Sequence, residues 1–340
     1  MSASLGRHAA RHGLEAKIAA LREAGYHGIE IHFECLQNEA RRLFSLDSAV
    51  APCAEQLYAA ARSVRARCEA ASLQIICLEP FLHYPGLLPT SRRDERLAEV
   101  PMWFTLADLL GTDMIQVASA MFGGPFVSND ESRIVEDLTI LADMGLRWPR
   151  PKFWAYEAMC FGHCTTTWEQ AWRQVQRVDR PNFGIVMDTF QILGAIYADP
   201  TSVDGKHVGA DEAVEATLTK LRDTFEGPAN AANRSKIFFM QLGDARKMDP
   251  PLSEESDIFD ASQHANVKMC WARMHRLFPG EGYMPAQRIA QVILQDCGWR
   301  GWVSAEYFNA DTFTDDAAFP AQAACRCRKG HDEFIEAMQE

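Results

Sequence analysis

The sequence lacks the segments that would place it in a membrane or mark it for secretion. No run approaches the roughly 18 apolar residues that a bilayer-spanning helix needs. Met1–Arg11 has no apolar core of the kind that a secretory signal contains. We therefore expect a cytoplasmic protein. The net charge of −12 over 340 residues also leaves no basic excess, which argues against nucleic acid or an anionic membrane surface as a partner.

Paired metal-binding or redox cysteines are missing as well. The ten cysteines show no CxxC spacing, and several fall on apolar positions, where a free thiol behaves as a small hydrophobic side chain. We expect reduced thiols rather than a disulfide framework. The sequence also has no glycine-rich phosphate loop, which disfavours a phosphorylated substrate.

What the sequence does contain is a regular alternation of helical stripes and short apolar runs. Leu14, Ile18 and Leu21 are spaced as one face of a first helix. Seven strands are predicted, at Gly28–Phe33, Leu73–Leu78, Asp113–Val117, Lys152–Glu157, Gly184–Asp188, Lys236–Gln241 and Gly301–Glu306. Helical patterns separate them, and Asp315–Gln339 is predicted to be the closing helix. This alternation favours an α/β fold whose parallel sheet closes as a (β/α)8 TIM barrel.

Two segments of the predicted barrel are unusual. Only Met1–Leu5 is available for a strand before the first helix, so we expect that strand to be short or irregular. The connection over residues 242–282, about forty residues, is far longer than most connections and predicts an active-site loop above the C-terminal face. No linker or repeat interrupts the chain, so residues 1–340 are predicted to form a single domain.

Four predicted strands each end in a side chain that carries oxygen: Glu157, Asp188, Gln241 and Glu306. Alternate residues of a strand share a face. Counting back by twos, Glu157 shares a face with Ala155 and Phe153, Asp188 with Val186 and Gly184, Gln241 with Phe239 and Ile237, and Glu306 with Ser304 and Trp302. The four oxygen-bearing side chains, at the ends of parallel strands, should therefore converge at one end of the barrel. Ligands that are all oxygen suit Mg²⁺ or Mn²⁺, with Co²⁺ as a further option.

Such a cation acts as a Lewis acid on a small-molecule substrate. It polarises a carbonyl, so that a proton on the adjacent carbon becomes acidic and an enediolate forms. Reprotonation then gives isomerisation or epimerisation, whereas loss of a β-hydroxyl gives dehydration. The residues alone leave both reactions open, and a non-catalytic barrel that serves as a scaffold is a third hypothesis. A homo-oligomer is compatible with the fold, although no interface can be identified from the sequence.

Several residues are candidates for proton transfer. His83 follows a predicted strand, and His163 follows the strand that ends at Glu157. Glu79 and Glu30 are expected to point into the barrel mouth, where either could be a proton acceptor with a raised pKa or a member of an ordinary buried ion pair. Glu30 is also a candidate for contact with the substrate.

The long connection supplies the remaining candidates for substrate binding. Arg273 and Arg276 are predicted to hold a substrate carboxylate, because the guanidinium matches a carboxylate with two parallel hydrogen bonds. Trp271, in the same segment, is a further candidate for substrate contact.

Short segments over nearly the whole chain resemble those of a known family. They are Ser4–Gly6, Gly25–Glu30, Ile76–Phe81, Trp154–Glu157, Val178–Gly184, Met187–Phe190, Ala198–Thr201, Phe238–Asp244, Arg276–Phe278 and Arg300–Glu306. On these segments the chain resembles the xylose-isomerase-like barrels of the sugar phosphate isomerase/epimerase superfamily, and most closely the fungal-type 3-dehydroshikimate dehydratases.

The resemblance implies that Glu157, Asp188, Gln241 and Glu306 hold a divalent metal. It also implies that 3-dehydroshikimate binds through its carbonyl and hydroxyl groups and is dehydrated to protocatechuate. Arginines near the barrel mouth would hold the ring carboxylate. The alternative within the same family is an isomerase or epimerase of a sugar or inosose.

The sequence departs from the family pattern in its curtailed first strand, which removes residues that would line the barrel floor, and at one position further along the chain. In related enzymes a histidine three residues after the metal-binding aspartate commonly serves as acid or base. Here that position is Gln191, whose amide does not transfer protons at neutral pH. We therefore expect either that His83, Glu79 or His163 takes this role, or that the substrate and reaction differ.

Overall fold

A sheet of seven parallel strands forms the centre of the molecule in the computed structural model, which describes residues 1–337. The strands of the structure are β1 Gly28–His32, β2 Gln74–Phe81, β3 Met114–Ala118, β4 Phe153–Glu157, β5 Phe183–Asp188, β6 Ile237–Leu242, β7 Asp244–Ala245, β8 Arg276–Leu277 and β9 Trp302–Ala305. Along the seven-stranded sheet the order is β1, β2, β3, β4, β5, β6 and β9. All seven predicted strands are present, and the short β7 and β8 form a separate antiparallel pair.

Amphipathic helices follow the strands and cover the sheet from outside. They are α1 Leu14–Glu23, α2 Phe33–Phe44, α3 Ala54–Ala70, α4 Thr90–Leu110, α5 Glu131–Arg147, α6 Trp168–Val178, α7 Thr189–Ile196, α8 Ala210–Phe225, α9 Ala231–Arg234, α10 Val267–Met274, α11 Ala286–Gln291 and α12 Phe319–Ala337. Helix α2 was not predicted, because it begins directly after β1 without a turn residue. The predicted closing helix is α12, and its last two predicted residues, Met338 and Gln339, lie outside the described residues.

The predicted first strand is replaced by a 3₁₀ turn over Ser2–Leu5. This segment fills the gap between β1 and β9 by using side chains where a strand would use its backbone. The Ser2 hydroxyl accepts a hydrogen bond from the backbone N–H of His32 at 2.8 Å, and the Ser4 hydroxyl accepts one from that of Tyr307 at 2.9 Å. Two backbone donors at the edges of the open sheet are thereby satisfied inside the protein.

Most of the residues that were predicted to share a face with the oxygen-bearing strand ends do point into the barrel. Ala155 and Val186, each two residues before a cluster carboxylate, pack together with Phe239, which stands two residues before Gln241. Ile237 departs from the pattern and belongs to the outer core, since the pairing of β5 with β6 shifts by one residue between Ile185 and Val186. The shift precedes the strand ends, so the polar residues there still face inward.

The long connection packs over the C-terminal end of the barrel. It contains β7, α10 and β8, and the buried carboxylate of Asp244 fastens its two ends together. That carboxylate accepts hydrogen bonds from the backbone N–H groups of Ala245, Gly282 and Met284, at 2.8, 3.0 and 3.0 Å. The predicted loop therefore has a fixed conformation in which α10 and β8 lie above the strand ends.

Within residues 1–337, no helix combines the length and apolar character that a bilayer crossing requires. All ten cysteines lie in this part of the chain, where none is joined in a disulfide. The cytoplasmic location, the single domain and the oligomeric state stay predictions.

Candidate active site

Three carboxylates meet at the C-terminal end of the barrel. Glu157 ends β4, Asp188 ends β5, and Glu306 follows β9. Each offers one oxygen, and the three oxygens lie within 4.8 Å of one another, with all three residues buried. The structure thus brings together three of the four side chains that the strand pattern predicted to converge.

Gln241 is the fourth residue and pairs with Asp188 in the register of β5 and β6. Its amide N–H donates to Glu30 at 2.9 Å, which leaves its carbonyl oxygen buried without a partner. Glu157 is in the same situation, because one carboxylate oxygen accepts from Gln116 at 2.5 Å while the other has no partner. Unpaired buried acceptors are rare, and two of them beside a carboxylate cluster fit the oxygen ligands of a divalent cation.

The electrostatics of the cluster agree with this interpretation. Burial, followed by the charges of Glu306 and Asp188, raises the pKa of Glu157 well above its ordinary value. Burial likewise raises the pKa of Glu306 to about 8, against the opposing effect of Arg276. Like charges that share a buried site raise each other's pKa, and a bound cation would remove that penalty.

Arg276 lies inside the cluster rather than at the pocket mouth. Its guanidinium donates a hydrogen bond to Asp188 and forms an ion pair with Glu306 at 2.7 Å, and its side chain is 1% exposed. The guanidinium carbon lies 4.4 Å from the centre of the Phe190 ring. Although burial alone would lower it, the charges of Asp188 and Glu306 raise the pKa of Arg276. Gly243 makes room for this arrangement, since a Cβ there would lie 2.7 Å from Arg276 Nε.

A cavity of about 420 Å³ opens above the cluster. Of the predicted site residues, six line it: Glu79, Glu157, Gln191, Arg273, Arg276 and Glu306. A cavity of this size is within the usual range for small-molecule sites. A smaller cavity of about 210 Å³ lies near the starts of β1 and β9, away from the acidic cluster.

Glu79 and Glu30 form a second carboxyl pair beside the cluster. Glu79 lines the cavity, and one of its oxygens has no hydrogen-bond partner. Burial, followed by the charges of Glu30 and Glu306, raises the pKa of Glu79 well above its ordinary value. Glu30 lies deeper, where it accepts hydrogen bonds from Gln241 and Ser304 and does not line the cavity. The structure therefore places Glu30 as a support for Gln241 rather than against a ligand.

Gln191 lines the cavity but is held by its neighbours. Its carbonyl oxygen accepts the backbone N–H of Cys160 at 2.9 Å, and its amide nitrogen lies 3.4 Å from the sulfur of Met159. These contacts fix the side chain at the position where related enzymes carry a histidine. The amide shapes the wall of the cavity and carries no ionisable proton.

Three other predicted residues do not line this cavity. His83 lines a neighbouring one and packs against Phe122, with 5.5 Å between the ring centres. His163 is an exposed loop residue. Trp271 is fully buried, where its indole N–H donates to the backbone oxygen of Arg246 at 3.0 Å and its ring packs against Phe190. A structural role in the loop accounts for Trp271.

The cavity also contains residues that the sequence did not point to. Arg7 reaches it from the segment that replaces the first strand, paired with Glu34. Gln116, on β3, donates a hydrogen bond to Glu157. Two phenylalanines line the wall near Arg7, whose guanidinium carbon lies 5.9 Å from the ring centre of Phe308 and 5.0 Å from that of Phe313. The alternation of β3 puts Gln116 on the inner face, which is the only sequence signal that could have identified it.

Comparison with known proteins identifies this barrel. The chain belongs to the xylose isomerase-like TIM barrel family, whose sequence profile matches residues 18–330. The matched range begins in α1 and ends in α12, so it includes all the strands of the barrel. The resemblance inferred from the sequence motifs is thereby confirmed.

Individual proteins share more specific similarity with this chain than the family as a whole. A 3-dehydroshikimate dehydratase of Neurospora crassa is 38% identical over 330 residues, which are 96% of this chain and 89% of that protein. A 3-dehydroshikimate dehydratase of Pseudomonas aeruginosa is 29% identical over 301 residues, which are 87% of this chain and 36% of that longer protein. Among solved structures, the IolI protein with a binding zinc atom has a TM-score of 0.67 at 16% identity, covering 99% of this chain and 96% of that one. At that identity the structural likeness concerns the fold.

Proposed function

We propose that this chain is a metal-dependent lyase that dehydrates 3-dehydroshikimate to protocatechuate. The observation that carries the proposal is the cluster of Glu157, Asp188 and Glu306, buried at the base of a cavity of about 420 Å³. The 38% identity with the Neurospora crassa dehydratase, over nearly the full length of this chain, supports 3-dehydroshikimate as the substrate. A scaffold protein would have no need for three like charges in a buried site, because that arrangement destabilises the fold.

The residues that would hold the cation are Glu157, Asp188, Gln241 and Glu306. When bound, Mg²⁺ or Mn²⁺ would polarise the substrate ketone and so acidify the proton on the neighbouring carbon. The unpaired oxygens of Glu157 and Gln241 support this assignment, because both are buried acceptors without a donor. An oxygen donor set favours Mg²⁺ or Mn²⁺ over zinc, with Co²⁺ as a further candidate.

Glu79 is the group we assign to proton transfer. It lines the cavity, it lies outside the metal-binding set, and one of its oxygens is buried without a hydrogen-bond partner. Burial, followed by the charges of Glu30 and Glu306, raises the pKa of Glu79 from its ordinary acidic range towards neutral pH, where one carboxyl group can act first as a base and then as an acid. In the reaction one proton leaves the carbon next to the ketone, and the hydroxyl on the following carbon departs with a proton as water. A single carboxyl group beside both atoms can accept the first proton and donate the second.

Arg273 is the group we assign to the substrate carboxylate. It lines the cavity, its only polar contacts are with the backbone oxygen of Gln263 and the sulfur of Met121, and within residues 1–337 no acid pairs with it. Burial, followed by the charge of Arg7, lowers the pKa of Arg273, so a bound anion would relieve the repulsion. The cavity thus has an acidic end and a basic end, which suits a ketone that carries a carboxylate.

Replacing Arg273 by alanine should raise KM for 3-dehydroshikimate about tenfold or more, with kcat changed much less. The reason is that a charge-assisted hydrogen bond contributes about 1.5–3 kcal/mol, and this one is made equally in the ground and transition states. Competition by protocatechuate should weaken to a similar extent, whereas catechol, which has no carboxylate, should bind both proteins equally. Unchanged KM and unchanged protocatechuate inhibition would remove Arg273 from the substrate site.

The proposed activity can be tested by mixing the protein with 3-dehydroshikimate and Mn²⁺ or Mg²⁺. We expect the ultraviolet absorbance of protocatechuate to appear and to be abolished by a chelator. The runner-up, an isomerase or epimerase, would use the same metal and the same enediolate. It would exchange substrate hydrogen with solvent deuterium without an absorbance rise, and that result would overturn the lyase assignment. A scaffold protein would show neither signal.

A further inference from the structure

Within residues 1–337, Arg276 is the only lysine or arginine that pairs with the acidic cluster. We infer that Arg276 is a positioning residue of the metal centre, which takes up one unit of the cluster's negative charge and so limits how tightly the centre binds a divalent cation. The inference rests on the metal centre of the proposed function. It assigns Arg276 to the metal ligands and leaves the substrate carboxylate to Arg273.

The contacts of Arg276 fix two of the ligand carboxylates. Asp188 accepts the guanidinium at one oxygen and the backbone N–H of Phe190 at the other, at 2.8 Å. Glu306 forms an ion pair with the other terminal guanidinium nitrogen at 2.7 Å. Both side chains are therefore held in place before any cation arrives. The acceptors without partners belong to Glu157 and Gln241, on the strands beside them.

The charges of the centre balance when Arg276 is counted. Glu157, Asp188 and Glu306 carry three negative charges when ionised, and a buried site that is far from neutrality is strongly disfavoured. One guanidinium and one divalent ion supply three positive charges. Without the arginine, the loaded centre would keep an excess negative charge and the empty centre would attract a divalent cation more strongly.

Arg276 has little freedom to leave the cluster. It is 1% exposed, it packs over the Phe190 ring, and a Cβ at Gly243 would lie 2.7 Å from its Nε. Its strand, β8, is tied to β7 by antiparallel pairing of Ala245 with Arg276. The guanidinium therefore acts on the ligand carboxylates from a position that the fold determines.

Titration with Mn²⁺ in the absence of substrate tests the inference. Free Mn²⁺ is measured by its electron paramagnetic resonance signal at several pH values up to about pH 9. The dissociation constants are compared in the pH range where they no longer change, because protons compete with the ion for the same carboxylates. Arg276→Gln removes the charge and keeps hydrogen-bonding groups, and we expect it to bind Mn²⁺ at least about tenfold more tightly than the parent, because a nearby like charge is gone. Arg276→Lys keeps the charge and should bind within about threefold of the parent.

The sign of the change separates this role from a purely structural one. Damage to the site would weaken Mn²⁺ binding, so weaker or unchanged binding by Arg276→Gln contradicts the inference. Arg288→Gln is the matched control, since Arg288 pairs with Glu215 on the surface at 2.7 Å. This control variant should bind Mn²⁺ as the parent does.

Folding of the Arg276→Gln variant gives a second result. If this variant folds only when Mn²⁺ is present, the ion has replaced the missing charge, as proposed. If it fails to fold even with Mn²⁺, the inference is contradicted. Binding is measured without turnover, so a different substrate would leave the result intact.

Discussion

Replacing Glu157 by glutamine should leave a folded protein that no longer turns over substrate. The change removes a ligand from the proposed metal centre while keeping the size of the side chain and a partner for Gln116. Loss of the cation removes several kcal/mol of stabilisation from the developing negative charge, so we expect kcat to fall about 10³-fold or more. Activity can be followed by protocatechuate absorbance with saturating Mn²⁺.

The same variant should change stability in a direction that identifies the cause. In the metal-free protein, Glu157→Gln removes one of three mutually repelling carboxylates, so its melting temperature should equal or exceed that of the parent. Added Mn²⁺ should stabilise the parent, by about 2.7 kcal/mol at a hundred times its Kd, and should not stabilise the variant. Glu215→Gln, a surface change, should behave as the parent in both measurements. Near-normal activity or a preserved Mn²⁺ shift in Glu157→Gln would show that this residue is not a ligand.

The sequence predicted the acidic cluster well because strand parity and strand ends are local features. The predicted ends at Glu157 and Asp188 match the observed ones, and Gln241 and Glu306 lie within one residue of theirs. A side chain at such a position has few directions available. The one-residue shift between β5 and β6 did not disturb the prediction, because it occurs earlier in the strands.

The distinction between Arg273 and Arg276 could not be predicted, because it depends on how the long connection docks. Both arginines belong to the same loop segment, and either could have reached a substrate. Asp244 fastens the connection so that β8 carries Arg276 into the cluster while Arg273, in α10, stays at the cavity wall. Arg7 is a similar case, since it enters the site only because Ser2–Leu5 occupies the place of a strand.

The absence of a histidine at position 191 makes Glu79 the decisive residue for the chemistry. His83 and His163, the other sequence candidates, do not line the cavity. His32 and His264 do line it, but burial, the first cause for each, lowers their pKa values, that of His32 to about 3. A lowered pKa leaves each imidazole without the proton that the departing hydroxyl needs, whereas burial, followed by the charges of Glu30 and Glu306, raises the pKa of the Glu79 carboxyl group.

The stability of a Glu79→Gln variant follows from the sign of this shift. The pKa of Glu79 is raised in the folded protein above its ordinary value of 4.5, so the parent loses stability as the pH rises above that value and the buried group is driven to ionise. Glutamine has the same shape and does not ionise. The melting temperature of the variant should therefore exceed that of the metal-free parent by more at about pH 8 than at about pH 5.

The activity of Glu79→Gln should fall by about 10²–10⁴-fold in kcat, which is the usual contribution of a general acid or base, while the stabilisation by Mn²⁺ persists. This combination distinguishes Glu79 from Glu157, whose replacement should abolish both. Glu79→Asp, which keeps the carboxyl group at a shorter reach, should recover part of the rate, and the acidic limb of its pH–rate profile should move with the new pKa. A Glu79→Gln variant with parental kcat would assign proton transfer to another group, and one that lost the Mn²⁺ shift would place Glu79 among the metal ligands instead.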